Sequence, residues 1–386
     1  MLNKIDKSLW YKVSCLSQSN EDVECVVYAN NINKMINYFE KMFNNFEIKR
    51  FNFINAVGLK IKPKEIAKLA KLNFVNYIAS ETKVFAQINM AKNVLNIDSL
   101  YSQGYTGKGV NVCIIDTGIH SHLDFLFPNN KIVYFKDFVN DRQENYDDNG
   151  HGTFVASVLA GNGFCSCGKY AGIAPDANII SLKVLNENGE TGAFRVLEAM
   201  QWIYDNYKKY NISVVCMSFG SSPLESGDPL TIGAEALWNN GITVVSAAGN
   251  SGPESMTIKS PGISRKIITV GAIYDGRDEN FEKNDISKIK VADFSSRGPS
   301  FNYYKPDLVA PGVNICSSSN SNKELYTYMS GTSVSTPIVA GVCCLLKEKY
   351  PNISPQQIKS ALINSCVPIT RDRNTEGFGY LDVKRL

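Results

Sequence analysis

The sequence contains three histidines, His120, His122 and His151, so any chemistry that needs an imidazole base near neutral pH has three candidates. His151 stands in Asp147-Asp148-Asn149-Gly150-His151-Gly152-Thr153, after a turn and before the apolar stretch 154–159. Glycines on both sides suggest that another segment comes close there, although a histidine opening a helix can also be merely solvated. Asp116 closes the apolar stretch 110–115 and is followed by Thr117-Gly118. One carboxylate delivered at a strand end suits a buried acid that orients an imidazole. Catalysis by a carboxylate pair would need that tripeptide twice, and it occurs once. Ser333 lies in Met329-Ser330-Gly331-Thr332-Ser333-Val334-Ser335-Thr336-Pro337, just ahead of an apolar helix running to about residue 350. A serine there has unpaired backbone N–H groups and a positive dipole end beside it, both useful to a developing oxyanion, yet serine before a helix is more often only a cap. Pro337 is expected in the first turn, where its missing N–H does no harm. None of the three residues suffices alone, although their side-chain types are those that acyl transfer uses.

The elements that must position them follow from the hydrophobic pattern. Apolar strands are expected at 110–115, 179–185, 214–218, 243–246 and 267–270, separated by amphipathic helices at 194–207 and 229–239. This alternation predicts an α/β fold, a mostly parallel central sheet with helices on both faces, in which reacting groups gather beyond the carboxyl ends of the strands. Residues 22–86 read differently, as strand (25–28), helix (32–43), two strands (46–51 and 54–61), helix (63–72) and strand (74–78). That is a small α+β unit, with Ile32, Met35, Ile36, Phe39 and Phe43 on one helical face. Residues 81–93 have little core character and read as a linker.

Composition narrows the partners. With 386 residues, 20% charged and 44% hydrophobic, the chain is globular and holds one large domain plus a small one. A net charge of +3, with both signs interspersed, gives no footprint for nucleic acid or an anionic membrane. The first twenty residues lack a signal-peptide core, so a cytoplasmic location is expected. The ten cysteines read as buried thiols of a reducing compartment, and Cys165-Ser166-Cys167 is left without an account.

Asp-Thr-Gly after an apolar strand, His-Gly-Thr opening a helix and Gly-Thr-Ser-Val-Ser-Thr-Pro opening another, in the order Asp, His, Ser, resemble the subtilisin-like serine proteases (subtilases). The resemblance runs from about Ser102 to Leu381 and implies a subtilisin fold and a serine endopeptidase with the triad Asp116, His151 and Ser333. It implies that Asn250, in Ala247-Ala248-Gly249-Asn250, donates to the oxyanion, and that Ala248 and Gly249 line the site beside it. Ser218, Phe219 and Gly220 would form one wall of the specificity pocket and Gly189 to Gly192 the opposing strip, between which extended peptide or unfolded protein is held. Catalysis would need no cofactor. His122-Leu123-Asp124 resembles an element whose acid binds calcium in the family, but leucine replaces proline and residues 162–170 carry Cys-Ser-Cys in place of the calcium loop, so structural calcium at Asp124 stays an option.

Residues 1–90 then resemble the family's propeptide, an intramolecular inhibitor and folding assistant ahead of a catalytic domain at 91–386. Its tail, Lys83-Val84-Phe85-Ala86-Gln87, would lie in the cleft and be cut autocatalytically between Ala86 and Ala91. The intracellular branch from spore-forming Gram-positive bacteria is the nearest in character. Two other readings compete: an inactive subtilase-like protein that regulates a partner by binding, and an α/β-hydrolase esterase. An intact triad opposes the first, and the absence of Gly-x-Ser-x-Gly around Ser333 opposes the second. The oligomeric state is left open.

Overall fold

The computed structural model describes residues 4–5, 9–10, 13, 22–42, 48–51, 55–80, 89–224, 227–276, 285–321 and 323–386. The chain divides into two compact units, Met1–Phe85 and Ala86–Leu386.

In the first unit β1 (Val23–Ala29), α1 (Ile32–Met42), β2 (Lys49–Phe51), β3 (Ala56–Ile61), α2 (Pro63–Leu69) and β4 (Val75–Ser80) follow the expected order. They form an antiparallel sheet in the order β2-β3-β1-β4. Met35, Ile36 and Phe39 of α1 and Ile66 and Leu69 of α2 are buried on a core shared with Val27, Val57 and Ile78. Phe43, Phe46 and the tail Lys83 to Gln87 lie outside the described residues.

The second unit opens with α3 (Asn89–Leu95), where a featureless linker was expected. Ala91 and Leu95 are buried in the large core and Val94 in a smaller cluster, so this segment is an element of the second unit. The strands β5 (Asn111–Asp116), β6 (Ile132–Asp137), β7 (Asn178–Lys183), β8 (Ile212–Met217), β9 (Thr243–Ala247), β10 (Ile268–Tyr274), β12 (Leu308–Pro311) and β16 (Tyr380–Leu381) are all parallel. The short β11 (Lys290–Val291) and β15 (Cys366–Val367) join antiparallel, and the order is β15-β16-β12-β10-β9-β8-β5-β7-β6. A separate hairpin pairs β13 (Ile315–Ser318) with β14 (Tyr326–Met329).

Chain order reverses at β5, whose neighbours are β7 and β8. In an open parallel sheet the crevice at such a reversal, beyond the carboxyl ends, is where ligands bind. Val112, Cys113, Ile114 and Ile115 of β5 are at most 1% exposed, each contributing up to about 1.5–3 kcal/mol of burial, so the strand end is a rigid mount. The covering helices are α4 (His151–Ala160), α5 (Ala193–Asn206), α6 (Pro229–Asn239), α7 (Thr332–Lys349) and α8 (Pro355–Ser365). Pro337 sits six residues into α7, not in its first turn, so the Ser333 carbonyl lacks the donor a helix would give it. Cys113, Cys216, Cys316, Cys343, Cys344 and Cys366 are buried free thiols, and no helix among the described residues is long and apolar enough to cross a membrane.

Candidate active site

Asp116 is the last residue of β5, and its side chain is 1% exposed. Its Oδ1 accepts hydrogen bonds from the Thr117 amide at 2.7 Å and from His151 Nδ1 at 2.7 Å. Burial pulls the His151 pKa down, but the charge of Asp116, its hydrogen bond and the charge of Asp147 outweigh burial and leave it above the ordinary histidine value. With Nδ1 committed to Asp116, Nε2 is the nitrogen left to move a proton; the side chain is 25% exposed.

What brings acid and base together is a carboxylate that sequence reasoning passed over. Asp147 is buried; its Oδ1 accepts from the Thr117 hydroxyl (2.8 Å) and the Gly150 amide (2.8 Å), and its Oδ2 from the amide and hydroxyl of Thr153 (2.8 and 2.6 Å). The Thr117 hydroxyl in turn accepts from the Gly152 amide at 2.8 Å. The two threonines of Asp-Thr-Gly and His-Gly-Thr thus clamp one carboxylate from opposite sides. A side chain on Gly152 would strike the carbonyl of Gly118, which accounts for the glycine after the histidine. Lys183 adds a second tie: its buried ammonium donates to the Thr117 and Leu185 carbonyls (2.6 and 2.9 Å) and to Asp148 Oδ1 (2.7 Å). The threonine two residues after the glycine-flanked histidine was visible in the sequence; its bond to Asp147 was not.

Ser333 is the second residue of α7 and half-buried. Neither its hydroxyl nor its amide makes a hydrogen bond among the described residues, so the hydroxyl is not pre-bonded to His151, as is common before substrate binds. Asn250 follows β9 and is anchored by its oxygen, which accepts from the Thr332 amide (2.9 Å) and hydroxyl (3.0 Å). That leaves Nδ2 to donate elsewhere. A methyl placed on Gly331 would lie 3.0 Å from Ser333 Oγ and 3.2 Å from Asn250 Nδ2, so nucleophile and amide face one small space that glycine keeps open.

The expected strips fall around this corner. Ser218 is buried at the end of β8, and the backbones of Phe219 and Gly220 make no hydrogen bond among the described residues, an edge able to receive an extended chain. Ala248 is pinned by its amide to the Val270 carbonyl, and the Gly249 amide donates to the Thr332 hydroxyl at 3.1 Å. The other strip is less extended than expected. Residues 186–190 close a turn on Asn186, with Gly189 at φ 75°, and Gly192 serves as the N-cap of α5.

Of the two other histidine candidates, His122 forms one buried knot with the calcium candidate. His122 Nε2 bonds to the Leu325 carbonyl (3.0 Å) while Nδ1 accepts from the Asp124 amide (3.1 Å), and burial, against the pull of Asp124, lowers its pKa. Asp124 is fully buried; Oδ1 accepts from the Cys165 amide (2.9 Å), and Oδ2 from the hydroxyls of Ser318 (3.0 Å) and Tyr326 (2.8 Å). Its carboxylate is saturated by protein donors and its neighbours are an imidazole and a thiol, a set that does not fit an ion asking for six to eight oxygens.

Against known proteins, the model of the subtilase family (Peptidase S8) matches residues 107–380. Serine protease AprX of Bacillus subtilis (strain 168) is 38% identical over 339 residues, 82% of this chain and 75% of that protein. Subtilisin DY of Bacillus licheniformis is 34% identical over 294 residues, 75% of this chain and 95% of that protein. Among solved structures, Sphericase superposes with a TM-score of 0.64 at 27% identity, covering 78% of this chain and 100% of its own. S41 psychrophilic protease gives 0.62 at 28% identity, covering 74% and 97%.

Proposed function

This chain belongs to the subtilase family of serine proteases, and we propose that it cleaves peptide bonds through an acyl-enzyme on Ser333. The observation that carries the assignment is a pair of arrangements: Asp116, at the strand where chain order reverses, holds His151 at 2.7 Å, and Ser333 Oγ and Asn250 Nδ2 face the same space at Gly331. In this reading His151 Nε2 takes the Ser333 proton as Oγ attacks the peptide carbonyl. Asp116 keeps the imidazole oriented and stabilises the imidazolium. The Ser333 amide and Asn250 Nδ2, neither spent on the protein, take the negative charge on the carbonyl oxygen. His151 then protonates the departing amine, and water attacks the ester by the same route in reverse. Phe219 and Gly220 supply free main chain on which an extended segment can pair, which favours unfolded protein and loops over folded domains.

The test is Ser333→Ala. Peptide hydrolysis is expected to fall by roughly 10⁶-fold, with loss of labelling by a fluorophosphonate. Retained hydrolysis, or labelling of another residue, would remove Ser333 from the role. Labelling of wild type at Ser333 also decides against an inactive regulatory relative.

The reading extends to a zymogen. The first unit has the size and βαββαβ order of an inhibitory prodomain, and α3 limits where it can be released. Ala91 is buried and residues 89–95 are helical, whereas a protease needs an extended segment, so the window of Ala86 to Ala91 narrows to the bonds before Asn89. Intact mass of the mature enzyme reads the site; an active enzyme that keeps Met1 would show that no removal is needed. The buried free thiols of Cys113, Cys216, Cys343 and Cys344 support work in a reducing compartment.

A further inference from the structure

The two walls beside the reactive corner are joined underneath by residues 258–260. The Lys259 amide donates to the Ala248 carbonyl at 2.9 Å, and Ser260 exchanges two backbone hydrogen bonds with Ser221, each 3.0 Å. This segment is therefore held between the edges 218–221 and 248–250, and the slot between those edges lies beside Asn250, whose Nδ2 faces the same space at Gly331 as Ser333 Oγ. The stem of Lys259 occupies the slot. A methyl on Gly220 would come within 2.6 Å of Lys259 Cβ, and one on Gly249 within 2.5 Å of Lys259 Cγ. Both flanking residues are glycine, and the lysine stem takes the room that side chains would fill. The side chain is half-buried, and its ammonium has no ion pair or hydrogen bond among the described residues. The carboxylate bonded to this segment, Asp228, is already taken by the Ser260 hydroxyl and the Thr231 and Leu224 amides (2.9 and 3.0 Å).

From this we propose that Lys259 sets the primary specificity, and that the residue preceding the scissile bond is acidic, glutamate before aspartate. A half-buried ammonium on a flexible stem has lost part of its hydration, and a carboxylate entering the slot restores it as a charge-assisted hydrogen bond. A cationic side chain would meet a like charge, and a large aromatic one would find the slot filled by the lysine stem. Glutamate has the extra methylene needed to reach past the two glycines. The proposal rests on the assignment of Ser333 and Asn250 to the reaction, and deepens it.

The experiment measures kcat/KM of the full-length protein, after any self-processing, on chromogenic tetrapeptides that differ only in the residue before the scissile bond: Glu, Asp, Phe, Ala or Lys. Glu is expected to exceed Phe and Lys by about tenfold or more, the size of a modest charge-assisted contact. Lys259→Met keeps the stem and removes the charge, and should erase the Glu:Phe ratio. Lys259→Glu should turn the preference toward Lys. A wild type that favours Phe, Ala or Lys, or a Lys259→Met profile that keeps its Glu preference, overturns the proposal. Fluorophosphonate labelling separates the two levels: enzyme labelled at Ser333 but indifferent to Glu sinks the Lys259 assignment alone. Enzyme that neither labels nor cleaves any of the five sinks the catalytic reading and this one with it.

Discussion

Replacing Asp116 by asparagine changes one atom and should change both the rate and its pH dependence. The side chain is 1% exposed and receives His151 Nδ1 at 2.7 Å, so asparagine fits the same space but brings no charge. Its amide can also present N–H to the ring, which forces the wrong tautomer. For a Ser-His-Asp triad the expected loss in kcat is about 10⁴-fold, about 5.4 kcal/mol of barrier. The pH effect has a definite sign. In the wild type burial lowers the His151 pKa, while Asp116, through charge and hydrogen bond, and Asp147 raise it by more. Removing the two larger raising influences lets burial dominate, and the value falls below the ordinary one. Catalysis needs neutral imidazole, so the acid limb of kcat/KM, which reports the free enzyme, should move to lower pH in Asp116→Asn. Stability follows the same linkage: protonated His151 stabilises the wild-type fold below the unfolded value near about 6.5, and that contribution disappears as pH rises through the folded value. The assay is kcat/KM against pH for both proteins on one substrate, with thermal melts over the same range. An acid limb that stays in place, or a loss under about tenfold, would refute the role given to Asp116.

Three further outcomes follow from the corner around Ser333 and from the Asp124 knot. Asn250→Asp keeps an oxygen for the Thr332 amide and hydroxyl but removes the donor, so kcat should fall at least about 100-fold with KM and melting temperature little changed. Gly331→Ala puts a methyl 3.0 Å from Ser333 Oγ and 3.2 Å from Asn250 Nδ2. Turnover should be lost while fluorescence and circular dichroism stay native, and wild-type turnover in that variant would mean the oxyanion lies elsewhere. Because Asp124 is saturated by Cys165, Ser318 and Tyr326, adding calcium or a chelator should leave the melting temperature unchanged; a calcium-dependent rise would show an ion site at other residues.

The sheet and the pairing of Asp116 with His151 were legible because their signals are local. Five apolar runs marked five parallel strands to within four residues at either end, and α6 falls on the expected bounds, since Pro229 and the apolar spacing fix both start and face. Asp116 and His151 could be read because each closes or opens an element within its own short motif. The supports could not, because they are made of pairs distant in sequence: Asp147 with Thr117, Lys183 with Thr117, Asn250 with Thr332. Lys259 is the plainest case. Nothing about a lysine before Ser-Pro-Gly suggests a place in a slot until the ends of β8 and β9 bring Gly220 and Gly249 to either side of it. Residues 89–95 misled in the opposite sense, because a seven-residue helix with three buried positions is too short to show a period.

These supports fall into two independent halves, which bears on how the site works. Acid and base are mounted on β5 and α4 and locked by Asp147, Thr117, Thr153 and Lys183. Ser333 and Asn250, the proposed nucleophile and oxyanion donor, are mounted on α7 and the end of β9, beside Thr332, to which Asn250 is tied. No hydrogen bond crosses from one triad half to the other among the described residues; helix packing holds them together, with Gly341 of α7 fitted against Ile173 and Leu159. His151 is thus oriented by Asp116 within its own half, with no bond to Ser333. Hence Ser333→Ala should leave the His151 titration where it is, whereas Asp116→Asn moves it without disturbing the geometry at Asn250. Each half can be tested against the other as a control.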